Sequence, residues 1–545
     1  MRRLTAAVAL LAIALAGCTK VSEEGAGADG RHPGTIPGVL RITIQQDLKN
    51  LNPLLNSNTT DGFVARLLFE PLLTAGPRGN PLPMLALQVP TFQNGGISKD
   101  GVTITYHLRK DAKWTDGVPV TSKDVKWTWS AIMNPDNNVV SRHGYDEIRS
   151  IDTPDDWTVV VHLKERFSPF VNTFFAESDQ PYPIAPAHVL SKYPNINQIP
   201  FNSEPTVSDG PFRFAEWSHG DHITLVRNDN FFMGKPGLQR IELRVVPDED
   251  TAINLLRTHA IDWIYQASIE TYPQTAAIPG VKVVWMNVNG YEDLQLNIAR
   301  PFLRDVRVRR AIAYAVDKVQ LIDTLTFGQE KIASEDLPSW LWAYDPSIRS
   351  YPHDIARART LLQSAGWTPG PDGVMRKNGQ PLSLVMVTNN SNVTRRKASI
   401  LLQAQLRAAG IETEIKYFPG DILYAPAGEG GILQLGKFDL SLAGWYAGID
   451  PDDSTNYMCK NVPPGGYNYS RYCSAEMDAA QRVALTNYDL PTRKKAYATI
   501  QGLLAQDVPE LFFWWIRQQQ PINVDFKGFA PNPVSEAWNA WQWSI

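Results

Sequence analysis

Residues 443–461 read AGWYAGIDPDDSTNYMCKN and place Asp450, Asp452 and Asp453 within four positions, behind Trp445 and ahead of Cys459. Three carboxylates so placed would suit a metal ion, acid–base chemistry or a clamp on a cationic ligand. The metal reading fails on spacing. A calcium loop opening at Asp450 needs glycine at its sixth position and glutamate at its twelfth, where the chain has Thr455 and Asn461. His219 and His222 flank Gly220-Asp221, but two histidines without a placed third ligand are a weak metal signal. EWSHGDHITLV reads more simply as two strands joined at the glycine.

Other suggestive patterns lack their context. GAGADG (25–30) fits a dinucleotide fingerprint but sits in a polar stretch with Pro33 close behind, not between a strand and a helix. GILQLGK (431–437) has the spacing of a phosphate-binding loop, yet Phe438 stands where the magnesium-binding Ser or Thr belongs. HExxH and GxSxG are both absent from the chain, so the two commonest hydrolase signatures are missing and no catalytic residue is assigned.

At 545 residues the chain exceeds what one hydrophobic core usually organises, which predicts two or three domains. Its formal net charge is −4, and loss of Arg2 and Arg3 with a leader would make it −6. That sign excludes nucleic acid as the expected partner, because phosphate binding needs a positive field. Arg2 and Arg3 precede the apolar run Ala6–Ala16, too short to span a bilayer and of the kind found in secretory leaders. The run ends in Leu15-Ala16-Gly17-Cys18, which resembles a lipobox, so 1–17 is expected to be a lipoprotein signal peptide and Cys18 the acylated residue. Residues 18–38 carry little to bury and form a flexible tether. In an exported chain the two remaining cysteines, Cys459 and Cys473, are expected to form a disulfide, with free thiols or a metal as the alternatives.

The elements that must position these groups are legible as periodicity. Ala398, Leu401, Leu402, Leu406 and Ala409 recur at helical spacing through 394–409, and Gly410 follows as a stop. Asp354 to Ala365, followed by Gly366, is a second such helix. Ile411, Thr413, Ile415 and Tyr417 alternate as a strand, and FDLSLA (438–443) reads as a returning strand leading into Gly444-Trp445. Earlier in the chain, 104–108, 157–163 and 241–245 read as strands. The class is mixed α/β, without internal repeats.

Several segments together carry a family likeness: Leu51-Asn52-Pro53, FEPLL (69–73), ITYHLRKDAKWTDGVPVTSKDVKWTW (104–129), SDGPFRFAEW (208–217), LQLNIARPFLRDVRVRRAIAYAVDK (294–318), LLQSAGW (361–367) and NYSRYCSAEMD (468–478). In this collinear order, across 40–545, the chain resembles the bacterial extracellular solute-binding proteins of family 5, the peptide- and oligopeptide-binding lipoproteins of ABC importers. The resemblance implies a type II periplasmic-binding-protein-like clamshell of α/β class with an additional inserted domain, three domains in all. Lobe I would comprise 39–75, 207–298 and 513–545, the inserted domain II 76–206, and lobe III 299–512.

It also implies a site. The family strand ending in Gly-Trp pairs with the ligand backbone, and a nearby acid takes the peptide amine. The matching residues are Gly444, Trp445, Tyr446 and Ala447. The family's acid, three places beyond the tryptophan, is Gly448 in this chain, so Asp450 is the expected substitute, with Asp452 and Asp453 solvated or holding the turn. Arg395 and Arg396 match an arginine that reaches a ligand carboxylate in dipeptide-binding relatives. Ser57, Asn58 and Thr59 match polar pocket residues, and Asn297 completes the candidates.

The function implied is capture of di- or oligopeptides by lobe closure and delivery to ABC permease subunits, by an extracytoplasmic monomer held to the membrane only through lipidated Cys18. No enzyme activity, cofactor, metal or nucleic-acid partner is expected. The same fold in this family also serves oligosaccharides, nickel chelates and opines, and an exported hydrolase or a signalling receptor are the readings from other classes.

Overall fold

The computed structural model describes residues 31–545 apart from 33, 57, 177–180, 349 and 465; Cys18 and the leader lie outside the described residues, as does the GAGADG stretch. Two long antiparallel strands, Val281–Leu296 and Glu510–Asn523, are the axis of the molecule, paired with two register shifts from Val281 opposite Asn523 to Gln295 opposite Glu510. On one side of them the main sheet continues through Trp263–Ile264, Val39–Ile44, Arg240–Val245, His222–Arg227 and Phe212–Ser218. On the other it continues through Leu440–Tyr446, Ser383–Asn389 and Glu412–Phe418, while the short strand Lys331–Ile332 adds to Glu510–Asn523. Strands gathered from distant parts of the sequence thus form one sheet, with helices built onto it.

The expected strands and helices are present within a residue or two of the periodic patterns. The helix is Val393–Ala408, with Asn392 accepting the Arg395 amide as its cap and Gly410 at φ +90 just past its end. The second helix is Ile355–Ser364, capped by Asp354. His219 and His222 belong to a hairpin with Gly220 at the turn, φ +76, and both imidazoles face acids: His219 meets Asp47, and His222 meets Asp221 and Glu216. One expectation is corrected: Leu440–Tyr446 does not return in the opposite direction to Glu412–Phe418, since the two flank Ser383–Asn389 and both run parallel to it. A helix or loop crossover separates the three strands, which is what parallel pairing demands.

The block HLRKDAKWTDGVPVTSKDV builds scaffold. Trp114 is fully buried, Gly117 takes φ +91 in the turn before Val118, and Thr121 and Asp124 cap the helix Ser122–Met133, with the Thr121 amide donating to Asp124 Oδ2 at 2.8 Å. That helix packs on the separate antiparallel sheet of Thr103–His107, Thr158–Leu163 and Ile148–Asp155. The core beside Val39–Ile44 is aromatic: Trp263 meets Phe63, Tyr265, Phe529 and Trp543 with ring centroids 4.8–5.9 Å apart. The Gly38 amide donates to the Ile545 carbonyl at 3.2 Å, so this region is closed by the last residues of the chain.

The structure joins Cys459 to Cys473, closing a loop with a sequence separation of 14 just before the helix Ala475–Thr486. Chain-entropy arguments give such a loop about 3 kcal/mol. Replacing both cysteines by serine should therefore lower stability by about 2 to 3 kcal/mol in urea unfolding. The folded wild-type protein should take up no alkylating label until reduced.

Candidate functional site

A cavity of about 310 Å³ lies where the two sides of the sheet meet. The start of the helix Thr59–Leu68 supplies Asn58, Thr59 and Phe63; the turn after Trp263–Ile264 supplies Tyr265 and Gln266; the axial strands supply Met286 and Gln518. Tyr446 and Ala447 enter from the end of Leu440–Tyr446, and Glu536 enters from the C-terminal loop. Asn58 is partly committed, since its Oδ1 caps the helix by accepting the Asp61 amide at 2.9 Å. Thr59 Oγ1 bonds Gln266 at 3.0 Å. Ser57 lies outside the described residues.

The strand Leu440–Tyr446 has one occupied edge and one largely open one. It is antiparallel to Val281–Leu296 from Leu440 to Tyr446, and the Ala447 amide donates to Asn289 O at 2.7 Å. Alternation in an antiparallel ladder then sends the backbone groups of Gly444 and Tyr446 to the opposite edge. There Ser383–Asn389 pairs only Leu440 and Ser441, with Thr388 Oγ1 reaching Leu442 O at 2.8 Å. Among the described residues no strand covers Gly444 to Tyr446 on that edge, which leaves donors and acceptors for an extended ligand. Side chains alternate too: Tyr446 faces the cavity, whereas Trp445 is half-buried, stands 5.6 Å from the Tyr467 ring, and lines a crevice of about 20 Å³ with His143, Asn172 and Gly448.

The expected charged anchors are already engaged within the protein. Arg395 forms a buried two-pronged pair with Glu292, Nε to Oε2 and Nη2 to Oε1 both at 2.8 Å, and its third nitrogen meets the Tyr424 hydroxyl. Its guanidinium is thereby held protonated well above its ordinary range, despite burial that works the other way. Arg395 is therefore a structural cation; Arg396, the next residue, is exposed on the helix. Gly444 is required beside this pair, because a Cβ there would lie 2.7 Å from Arg395 Nη2 and 2.8 Å from the Tyr291 carbonyl. Asn297 is buried and bonds the carbonyls of Gly436 and Phe438, so it ties a loop and does not reach the cavity.

The three aspartates of the opening stretch have three separate partners. Asp450 is closed by Arg493, Nη2 to Oδ1 at 2.6 Å and Nη1 to Oδ2 at 3.0 Å, and also accepts from Asn172. A protein cation thus already occupies the place of a ligand ammonium, and Asp450 also lines the small crevice beside Trp445. Asp452 and Asp453 are not solvated. Burial pushes Asp452 up, but His143 at 3.2 Å and the Ser454 amide outweigh it and hold the carboxyl below its ordinary value. Asp453 is buried beside Gln481 and shares a hydrogen bond with Asp336, which requires a proton on one of the two; burial raises both. Asp293 and Glu510 repeat this arrangement nearby.

A model of the "Bacterial extracellular solute-binding proteins, family 5 Middle" matches residues 80–466. The chain belongs to this family. Among curated proteins it is 25% identical over 498 residues to the oligopeptide-binding protein AppA of Bacillus subtilis, covering 90% of this chain and 89% of that one. It is 24% identical to the probable D,D-dipeptide-binding periplasmic protein DdpA of Escherichia coli, covering 93% and 94%. The solved structure of AppA with a nonapeptide superposes with a TM-score of 0.78 at 23% identity, covering 93% of this chain and 99% of that one. NikZ of Campylobacter jejuni with Ni(L-His) superposes with a TM-score of 0.79 at 24% identity, covering 94% and 100%. These structures show the type II periplasmic-binding-protein-like fold with its additional domain.

Sequence reasoning missed Glu292, Arg493 and Glu536, none of which lies in a recognisable pattern. Since Asp450 and Arg493 are both buried, Asp450→Asn should cost about 3 to 5 kcal/mol of stability, and adding Arg493→Met should restore part of it, as read by denaturant unfolding. The hydrogen bond between Asp336 and Asp453 places its proton on Asp453 and works against Asp336, which burial nonetheless lifts to about 7, so that Asp336 too is neutral and stabilising at low pH. That stabilisation is complete below the ordinary carboxyl range and is lost as pH rises through about 7. Asp336→Asn should accordingly raise the unfolding temperature at pH 8 by a few degrees while changing it little at pH 5.

Proposed function

We propose that this family member captures peptides and presents them to the permease of an ABC importer, without enzymatic activity of its own. The observation that supports this most is the uncovered backbone edge at Gly444 to Tyr446 beside the cavity. A sugar ring or a metal chelate has no use for a row of alternating amides and carbonyls, whereas an extended peptide matches it by adding a strand. The cavity volume lies at the small end of ligand sites, which suits a short peptide or the end of a longer one. Lobe I, assembled from 39–75, 207–298 and 513–545, and lobe III, 299–512, would close on the ligand about the two axial strands. The chain would act as a monomer outside the cytoplasm, anchored through acylated Cys18.

Mass spectrometry of the ligand retained by gently purified protein tests this reading. Peptides are the expected species, and a sugar or a metal chelate in their place would overturn it. Gly444→Ala, which drives a methyl group into the Arg395–Glu292 pair and the neighbouring carbonyl, should reduce peptide retention about tenfold or more. Cys18→Ser should move the protein from the membrane to the soluble extracytoplasmic fraction.

A further inference from the structure

Most buried acids near the site meet a protein cation or a shared proton: Asp450 has Arg493, Glu292 has Arg395, Asp262 has Arg41, and Asp336 has Asp453. Glu536 differs. Only 7% exposed, it lines the large cavity, and among the described residues no ion pair or side-chain hydrogen bond engages its carboxylate. Arg66 lines the same cavity and already has a partner in the protein. The backbone amide of Glu536 itself favours the charged form, and the phenols of Tyr265 and Tyr446 lie within its electrostatic reach. Burial pushes Glu536 up to about 7, so near neutrality the empty site holds a carboxyl poised between its two forms.

A carboxylate kept from water without a counter-charge is costly, and a cation delivered into the cavity would remove that cost while forming a strong charge-assisted hydrogen bond. We propose that Glu536 is the cation anchor of the binding site, pairing with a positive group of a peptide ligand, either its α-ammonium or a lysine or arginine side chain. The proposal rests on the peptide reading above. It also accounts for the glycine at 448 and the closure of Asp450 by Arg493: the acid that meets the ligand comes from the C-terminal loop.

Four tripeptide libraries decide the matter, each offered to wild-type and Glu536→Gln protein with retained species counted by mass spectrometry. One has free amines and all side chains, one is N-acetylated, one lacks Lys and Arg, and one is both N-acetylated and free of Lys and Arg. Wild type should retain the last about tenfold or more less than the first. Loss with acetylation alone identifies the α-ammonium as the partner, and loss with Lys and Arg omitted identifies the side chain. In Glu536→Gln the preference should collapse; Glu536→Ala supplies the same comparison if the Gln variant does not fold. Equal retention of all four libraries by wild type would overturn the proposal, as would a folded Glu536 variant that keeps the wild-type preference, and both leave peptide binding intact. A wild type that retains no library would overturn the peptide reading itself.

Discussion

Everything in this molecule hangs on the pairing of Val281–Leu296 with Glu510–Asn523. At about 3.3 Å per residue the longer strand runs on the order of 50 Å, far beyond the ordinary strand, and it is the element common to both sides of the sheet. The ladder is not uniform. Its register shifts between Asn287 and Tyr291 and again between Glu292 and Asp293, and such irregularities re-aim side chains. Before the first shift, Met286 is turned to the cavity; after it, Tyr291, Asp293 and Leu294 are turned into the later cores. Between them Asn289 donates to the Gly448 carbonyl at 2.8 Å and accepts from Trp340, pinning the strand end that carries Tyr446 and Ala447. The site is thus built at the place where the axial ladder is interrupted.

Charge inside the fold is handled mainly by two devices. Buried Arg41, Arg395 and Arg493 are each matched two-pronged to an acid, because a lone buried guanidinium or carboxylate would cost several kcal/mol. Surplus acids in the later core are kept neutral by sharing protons in pairs. Neither device frees a charge for a ligand, which is why the acids and arginines most visible in the sequence turn out to be structural. Asp209 and Glu335 have neither device in the packed interior, and Glu536 has neither at the cavity wall.

Periodic features were legible because they are local. The helix at 393–408 could be placed from its apolar spacing and its terminal glycine, and the hairpin at His219 and His222 from one glycine between alternating runs. The role of the charged residues was not legible, because it is set by partners far away in sequence: Arg395 by Glu292, Asp450 by Arg493, His143 by Asp452. Adjacency misled as well. Asp450, Asp452 and Asp453 look like one cluster on paper, but the turn through Pro451 sends them to three different neighbours. The strand ending at Tyr446 was found through its Gly-Trp signature, yet which of its residues face the cavity depends on alternation relative to a partner strand that sequence does not identify.

The contact between Gly38 and Ile545 has a consequence for how the chain comes to be folded. The strand Val39–Ile44 is made early, but its sheet neighbours Arg240–Val245 and Trp263–Ile264 follow much later, and the rings of Phe529 and Trp543 that complete its core come almost last. During synthesis this strand has both edges bare until Arg240–Val245 has been made, whereas the helices and strands of 299–512 find most of their neighbours within their own stretch. Assembly is therefore expected to run outward from the middle of the chain, with the N-terminal segment waiting as an adhesive, unpaired ribbon that has to be shielded until its later neighbours arrive.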